Sequence, residues 1–114
     1  MIDQLIEFAK EIHEKLGPYY NERMYHNAME VKLREHGIKY ETERIIPVTF
    51  DGHVIGHLRA DLIVDDKHVV ELKSTRTTND CMLHQGQNYM KLLGLDSGLL
   101  INFSKTCEVT ILSV

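Results

Sequence analysis

With two prolines and no serine- or glycine-rich stretch, the chain shows no linker, and no internal repeat or low-complexity segment divides it. The two cysteines, Cys81 and Cys107, cannot supply a four-cysteine zinc or iron–sulfur site. They read as small, reduced, buried thiols. No run of about 18 apolar residues exists, which excludes a membrane-spanning helix. The first residues carry acids from Asp3 onward, unlike a secretory signal. These absences predict a soluble, intracellular protein with no membrane partner. No block of Lys or Arg marks a nucleic-acid tail, and 13 Lys and Arg against 17 Asp and Glu leave a net charge of −4. That acidity argues against tight, non-specific coating of DNA but leaves room for a local basic groove. What remains is an ordinary globular balance over 114 residues, 43% hydrophobic and 26% charged, which predicts one domain spanning 1–114.

Residues 2–16 place Ile2, Leu5, Ile6, Ala9, Ile12, His13 and Leu16 at three- and four-residue steps, which predicts a helix stopped by Gly17. Pro18 suits the first position of a second helix running to about His36, with Tyr20, Met24, Ala28 and Val31 as its apolar stripe and Gly37 as its stop. The pattern then turns to strands at 40–50 and 53–64, joined by Asp51-Gly52, a strong hairpin turn. A third strand runs from His68 to Lys73. Asn79 or Asp80 caps a helix reaching Leu93, with Gly94 as its stop. Gly98–Phe103 suits a strand buried on both faces, and 107–113 alternates like a final strand. The order α-α-β-β-β-α-β-β predicts an α+β fold, a mixed sheet flanked by helices.

The informative stretch runs from Asp61 to Lys73. Asp61 is followed, after nine residues, by Glu71-Leu72-Lys73. Both acids end apolar strand runs, where a buried carboxylate is costly unless partnered. If Asp65-Asp66-Lys67 forms a three-residue loop that sets Val64 opposite His68, the same antiparallel register sets Asp61 opposite Glu71, with Cβ atoms roughly 4.5–5.5 Å apart. Lys73, two residues on, points to the same side as Glu71. A two-residue loop would reverse the parity and separate the acids. Two unpaired carboxylates this close repel, and a divalent cation resolves the repulsion. Oxygen ligands suit Mg²⁺ or Mn²⁺. A hard cation beside a lysine matches phosphodiester hydrolysis, with Lys73 orienting the water or stabilising charge on the phosphate. The alternative is a solvated hairpin carrying an ordinary Glu–Lys surface pair.

Glu22 shares a helix face with Tyr25 and Met29, which makes it a candidate third acid at the metal; the alternative is a first-turn acid favoured by the helix dipole. Gln85 shares a face with Met82, Tyr89 and Leu93 and could hold a water at the site; the alternative is a boundary residue. Gly86 beside it permits close approach of helix and sheet. His84 could touch a phosphate, or simply face solvent. His53 and His57, in a strand, are too far apart to share a metal. No nucleophile elbow and no glycine-rich phosphate loop is present.

Together these residues resemble the PD-(D/E)XK nuclease superfamily, and within it the GxxExxY-type group of small nuclease-like proteins. Gly17-Pro18 with Glu22 and Tyr25 resembles that group's helix motif. Ile55-Gly56 and Arg59-Ala60-Asp61-Leu62 resemble its second strand, and Val70-Glu71-Leu72-Lys73 its third. Gln85, Asn88, Tyr89 and Lys91 match its Gln-x-x-Asn-Tyr-x-Lys helix, and Gly98–Phe103 the strand that follows. Tyr19 stands where the group has Gly, and Ala60 where the superfamily name has Pro; both are positions of backbone shape. No cysteine-ligated cluster is present.

The resemblance implies a restriction-endonuclease-like, three-layer fold. It implies that Asp61, Glu71 and the Leu72 carbonyl bind Mg²⁺ or Mn²⁺, that Lys73 is catalytic, and that Glu22 and Gln85 support the site. The expected activity is metal-dependent hydrolysis of DNA, with RNA as the other candidate substrate. Arg59, Arg76, His84 and Lys91 are the candidates to meet the nucleic-acid backbone. A groove this small would contact few phosphates, and a homodimer or larger host complex would enlarge it. The competing reading is an adaptor that keeps the fold and binds nucleic acid or protein without cutting; a third is a purely structural domain.

Overall fold

The computed structural model describes residues 1–113. Helices α1 (Ile2–Leu16) and α2 (Glu22–Glu35) precede strands β1 (Tyr40–Phe50), β2 (His53–Val64) and β3 (His68–Lys73); α3 (Asp80–Leu93), β4 (Ser97–Phe103) and β5 (Cys107–Leu112) follow. The strands form one sheet in the order β1-β2-β3-β4-β5. All neighbours are antiparallel except β3 and β4, which run parallel and are joined through α3. Two apolar clusters define three layers. Leu5, Phe8 and Ile12 of α1 and Tyr25, Met29 and Leu33 of α2 pack on Leu62, Val64, Val70, Leu72, Leu99, Ile101 and Phe103. Tyr89 and Met90 of α3 pack on the other face, against Ile63, Val69, Leu100 and Leu112. This is the expected mixed sheet flanked by helices, a restriction-endonuclease-like arrangement.

Most boundaries fall where the sequence places them, but α2 does not begin at Pro18. Its N-cap is Asn21, whose side chain accepts a hydrogen bond from the Met24 N–H, so Glu22 opens the helix. Residues 17–21 are a connection, fastened by the Tyr25 hydroxyl donating to the Gly17 carbonyl. The buried stripe also differs. Tyr25, Met29 and Leu33 face the core, while Met24 is 49% and Val31 45% exposed. The deciding contact is Tyr25, whose ring stacks on Phe103 with centroids 4.4 Å apart and planes 1° apart. A four-residue step from that anchor reaches Met29 and Leu33, turning the smaller stripe outward.

β4 is buried on both faces from Gly98 to Phe103, as its apolar run requires. Helix α3 approaches the sheet closely at two glycines. A Cβ on Gly86 would lie 2.5 Å from Leu112 Cδ1, and one on Gly98 would lie 2.9 Å from Met90 Sδ and 3.1 Å from the Val69 carbonyl oxygen. The Gly98 contact includes backbone in the sheet centre, which cannot retreat. Gly98→Ala is therefore expected to destabilise the protein by about 1–3 kcal/mol through overpacking. A thermal melt should show Tm lowered by roughly 5 °C or more. An unchanged Tm would mean that Met90 and β4 adjust freely.

The β1–β2 hairpin is much longer than the sheet it belongs to. Only Leu62, Ile63 and Val64 of β2 pair with β3. Between His53 and Arg59, β2 has β1 as its one strand partner among the described residues. The ribbon turns at Asp51 and Gly52, both at positive φ (49° and 79°), the conformation a two-residue hairpin loop needs. Ile45, Phe50, Val54 and Ile55 are exposed along it.

Candidate active site

The loop Asp65–Lys67 has three residues, and Val64 stands opposite His68. Ladder pairing stops at Leu62 opposite Val70, one step before the two acids. Side chains take over from there. The Asp61 N–H donates to Glu71 Oε1 at 3.1 Å, and the Leu72 N–H donates to Asp61 Oδ2 at 2.8 Å. Each carboxylate thus stands where a ladder carbonyl would otherwise accept. The pair is held in the gap between diverging strands, not across a continuous ladder as the register alone suggests. On the other side of β2, Glu43 is skipped between the pairs Thr42–Leu62 and Arg44–Ala60, and has φ 53°. Leu62 and Val64 pack under α1 and α2, but Leu58 and Ala60 pack under α3. The alternation of β2 therefore reverses at Asp61, which frees its carboxylate from both apolar layers.

Glu71 is 3% exposed. Burial first, and the Asp61 carboxylate second, push its carboxyl up to about 9; the Asp61 N–H and Lys73 pull the other way. Lys73 is half-buried and set beside Asn102 of β4. Among the described residues it forms no ion pair. Helix α3 reaches the same region. Gln85 Nε2 donates to the Tyr89 hydroxyl at 2.9 Å, so the Gln85 amide is engaged within its own helix. Burial, then the Glu71 carboxylate, raises the Tyr89 phenol, and the Gln85 bond opposes them.

Asp61 also opens onto a cleft of about 250 Å³ shared with Leu72 and with Glu22, Arg23 and His26 of α2. Glu22 is exposed at its rim. No group of three or more His, Cys, Asp or Glu side chains close enough to hold a metal ion occurs among the described residues. Asp61 and Leu72 line this cleft together with Glu22, and Glu71 is joined to Asp61 through the Asp61 N–H.

Three neighbours escape a reading of the sequence. Arg23 bonds Glu43, which lowers the Glu43 carboxyl and raises the guanidinium, with Asp61 adding a smaller effect on Arg23. His26 is buried, and its Nε2 lies 3.3 Å from a Glu30 carboxylate oxygen without hydrogen-bond alignment. Glu30 in turn accepts from the Tyr40 hydroxyl at 3.1 Å. The step of four from Glu22 to His26 was a legible signal; the placement of Glu43 depends on a left-handed backbone that no pattern announces.

The four candidates for backbone contact do not gather at the acids. Arg59 is exposed on the ribbon opposite Ile45. His84 and Lys91 line a different cleft, with Gln87, Asn88 and Ser113. Arg76 lies in a third, beside Tyr19 and Lys105.

A family model for the PD-(D/E)XK nuclease superfamily matches residues 1–113. The chain belongs to the PD-(D/E)XK nuclease superfamily. Among solved structures, that of SSO0001 is similar over 80% of this chain with a TM-score of 0.63 and 22% identity, a likeness of fold. The chain spans 48% of the length of that protein. Comparison with curated proteins gives no match. No helix among the described residues is long and apolar enough to cross a membrane.

Proposed function

We propose that this superfamily member is a divalent-metal-dependent nuclease that hydrolyses phosphodiester bonds of DNA, and that it belongs to the GxxExxY-type group. The observation that carries the reading is the bonding of the Asp61 N–H to the Glu71 carboxylate and of the Leu72 N–H to the Asp61 carboxylate, at the point where β2 and β3 part, with Lys73 two residues beyond Glu71. A buried carboxyl set against a second, half-buried one keeps its proton in the absence of a cation, and a divalent ion bound there would take that proton's place. The residues fit a hard metal. Asp61, Glu71 and the Leu72 carbonyl offer oxygen donors only, the preference of Mg²⁺ and Mn²⁺. When bound there, such an ion supplies charge that polarises the phosphate and acidifies water.

The chain's own groups do the rest. To hold a cation Glu71 would have to release its proton, because ligation needs the carboxylate. The Leu72 N–H fixes one Asp61 oxygen and leaves the other free to bind. Lys73 has only donors to offer, so it acts on the attacking water or the phosphate and not on the metal. Tyr89 and Gln85 form the α3 wall of the site, and Glu22 and Arg23 its α2 wall. Arg23, paired with Glu43, lines the same cleft as Asp61 and is the cation there for an incoming phosphate. A second copy or a host complex would extend a footprint that is small for a nucleic-acid enzyme.

The test is cleavage of labelled single- and double-stranded DNA and RNA with Mg²⁺, Mn²⁺ or EDTA, using wild type and Asp61→Asn. Wild type should cut DNA with metal and not with EDTA. Asp61→Asn should cut at least 10²-fold more slowly and lose the rise in Tm that metal gives wild type. If wild type cuts no nucleic acid with any divalent ion, the adaptor reading replaces this one.

A further inference from the structure

We propose that the cleft beside Tyr19 is a track for single-stranded nucleic acid leading away from the acid pair. This rests on the nuclease reading and names the form of substrate. The cleft, about 480 Å³, lies where the parallel strands β3 and β4 end. In open α/β sheets, ligands gather outside the carboxyl ends of strands. Three segments wall it: Pro18 and Tyr19 before α2, Ser74–Arg76 after β3, and Phe103–Thr106 around the β4–β5 turn.

The walls are tied together, not loosely adjacent. Ser74 Oγ donates to the Tyr20 carbonyl at 3.0 Å. The Thr75 N–H donates to Oδ1 of the fully buried Asn102 at 3.0 Å. His13 Nε2 lies 2.8 Å from the Ser104 carbonyl, at hydrogen-bond distance. The cleft is therefore preformed, which lowers the ordering cost of binding.

Its chemistry matches a polynucleotide strand. Tyr19 is 84% exposed, an aromatic face with no apolar cover. Arg76 and Lys105 supply two cations, and neither forms an ion pair among the described residues. Glu108, the one acid in the lining, accepts instead from Thr78 Oγ1 at 3.2 Å. Stacking on an aromatic ring beside unpaired cations is how single strands are bound without sequence preference. A paired base hides its face within the helix and gains nothing from Tyr19. The cleft is also near enough to serve the acids. Arg76 is three residues beyond Lys73, at most about 11 Å along the backbone. Tyr19 is three residues before Glu22, which faces the Asp61 cleft.

The experiment measures anisotropy of a labelled oligothymidylate of about 12 nucleotides, in EDTA so that nothing is cut. The proteins are wild type, Tyr19→Ala, Tyr19→Phe and the pair Arg76→Ala/Lys105→Ala. Each is first checked by thermal melt. Tyr19→Ala should weaken binding about ten-fold while Tyr19→Phe retains it. The double variant should reduce the slope of log affinity against log salt by about 1.4, two phosphates' worth on a single strand. Blunt duplex of the same length should be indifferent to Tyr19→Ala. Unchanged affinity and salt slope in the variants would overturn the track while leaving the nuclease reading intact if wild type still cuts. Thymidine monophosphate competing as strongly as the oligomer would also overturn it, in favour of a free-nucleotide pocket. Wild type that neither binds nor cuts any nucleic acid would sink both.

Discussion

Lys73→Ala is expected to slow single-turnover cleavage of saturating DNA by roughly 10²-fold or more, the scale of one positioned electrostatic or proton-transfer group. Manganese binding measured by calorimetry should survive, because the donors at Asp61, Glu71 and the Leu72 carbonyl are untouched. It should also shift in pH. Lys73 lowers the Glu71 carboxyl, so its removal makes the proton a stronger competitor of the metal at Glu71. Binding in the variant therefore needs a somewhat higher pH than in wild type. A variant that cleaves as fast as wild type would show that Lys73 is an ordinary half-buried lysine and that another group serves the phosphate.

Without metal, the protein is expected to lose stability as pH rises from about 4.5 to about 9, and Glu71→Gln to abolish most of that loss. The folded carboxyl holds its proton up to about 9, against 4.5 for the ordinary group. Below 4.5 both the folded and the unfolded chain carry the proton, and pH has no effect through this group. Above 4.5 the unfolded chain releases it and the folded chain does not, so unfolding is increasingly favoured until the folded carboxyl also ionises. Near pH 8 the loss is on the order of a few kcal/mol. The amide of Gln is neutral at every pH and can still accept from the Asp61 N–H. Metal-free Glu71→Gln should therefore melt roughly 10 °C above wild type at pH 8 and close to it at pH 4.5. Mn²⁺ should close the gap by stabilising wild type alone. Wild type that melts at one temperature from pH 5 to pH 9, with Glu71→Gln alongside it, would remove the case for a strained acid pair.

The fold was legible wherever local chemistry and period agreed. The ranges of β1, β2, β3 and α3 follow from β-branched runs, the Asp51-Gly52 turn, the Asn79 cap and Gly94. The start of α2 was not, because Pro18 and Asn21 both make good openings, and the choice lies in the tertiary contact of Tyr25 with Gly17 and Phe103. The Tyr25 stripe prevails over the Met24 stripe for the same reason. At the site, the three-residue loop and the nearness of Asp61 to Glu71 could be worked out from residue numbers. The splay between the strands could not, since it rests on the left-handed Glu43 and on side chains accepting in place of carbonyls. Arg23 and Glu43 come to Asp61 from other elements and only the fold brings them there, whereas His26 could be placed by its step of four from Glu22.

The long β1–β2 ribbon has a consequence for how such a protein can diversify. Its outer half leans on no third strand among the described residues, and an irregularity between Val48 and Thr49 separates the register at the Asp51-Gly52 loop from the register at the base. Residues added or removed in pairs, one on each side of the loop, change the reach of the arm by about 3.4 Å a step. Each remaining side chain keeps its side of the ribbon, and a single extra residue is absorbed only by an irregularity like the one already present between Val48 and Thr49. The arm is a part whose length can change while the carboxylates at its base keep their spacing.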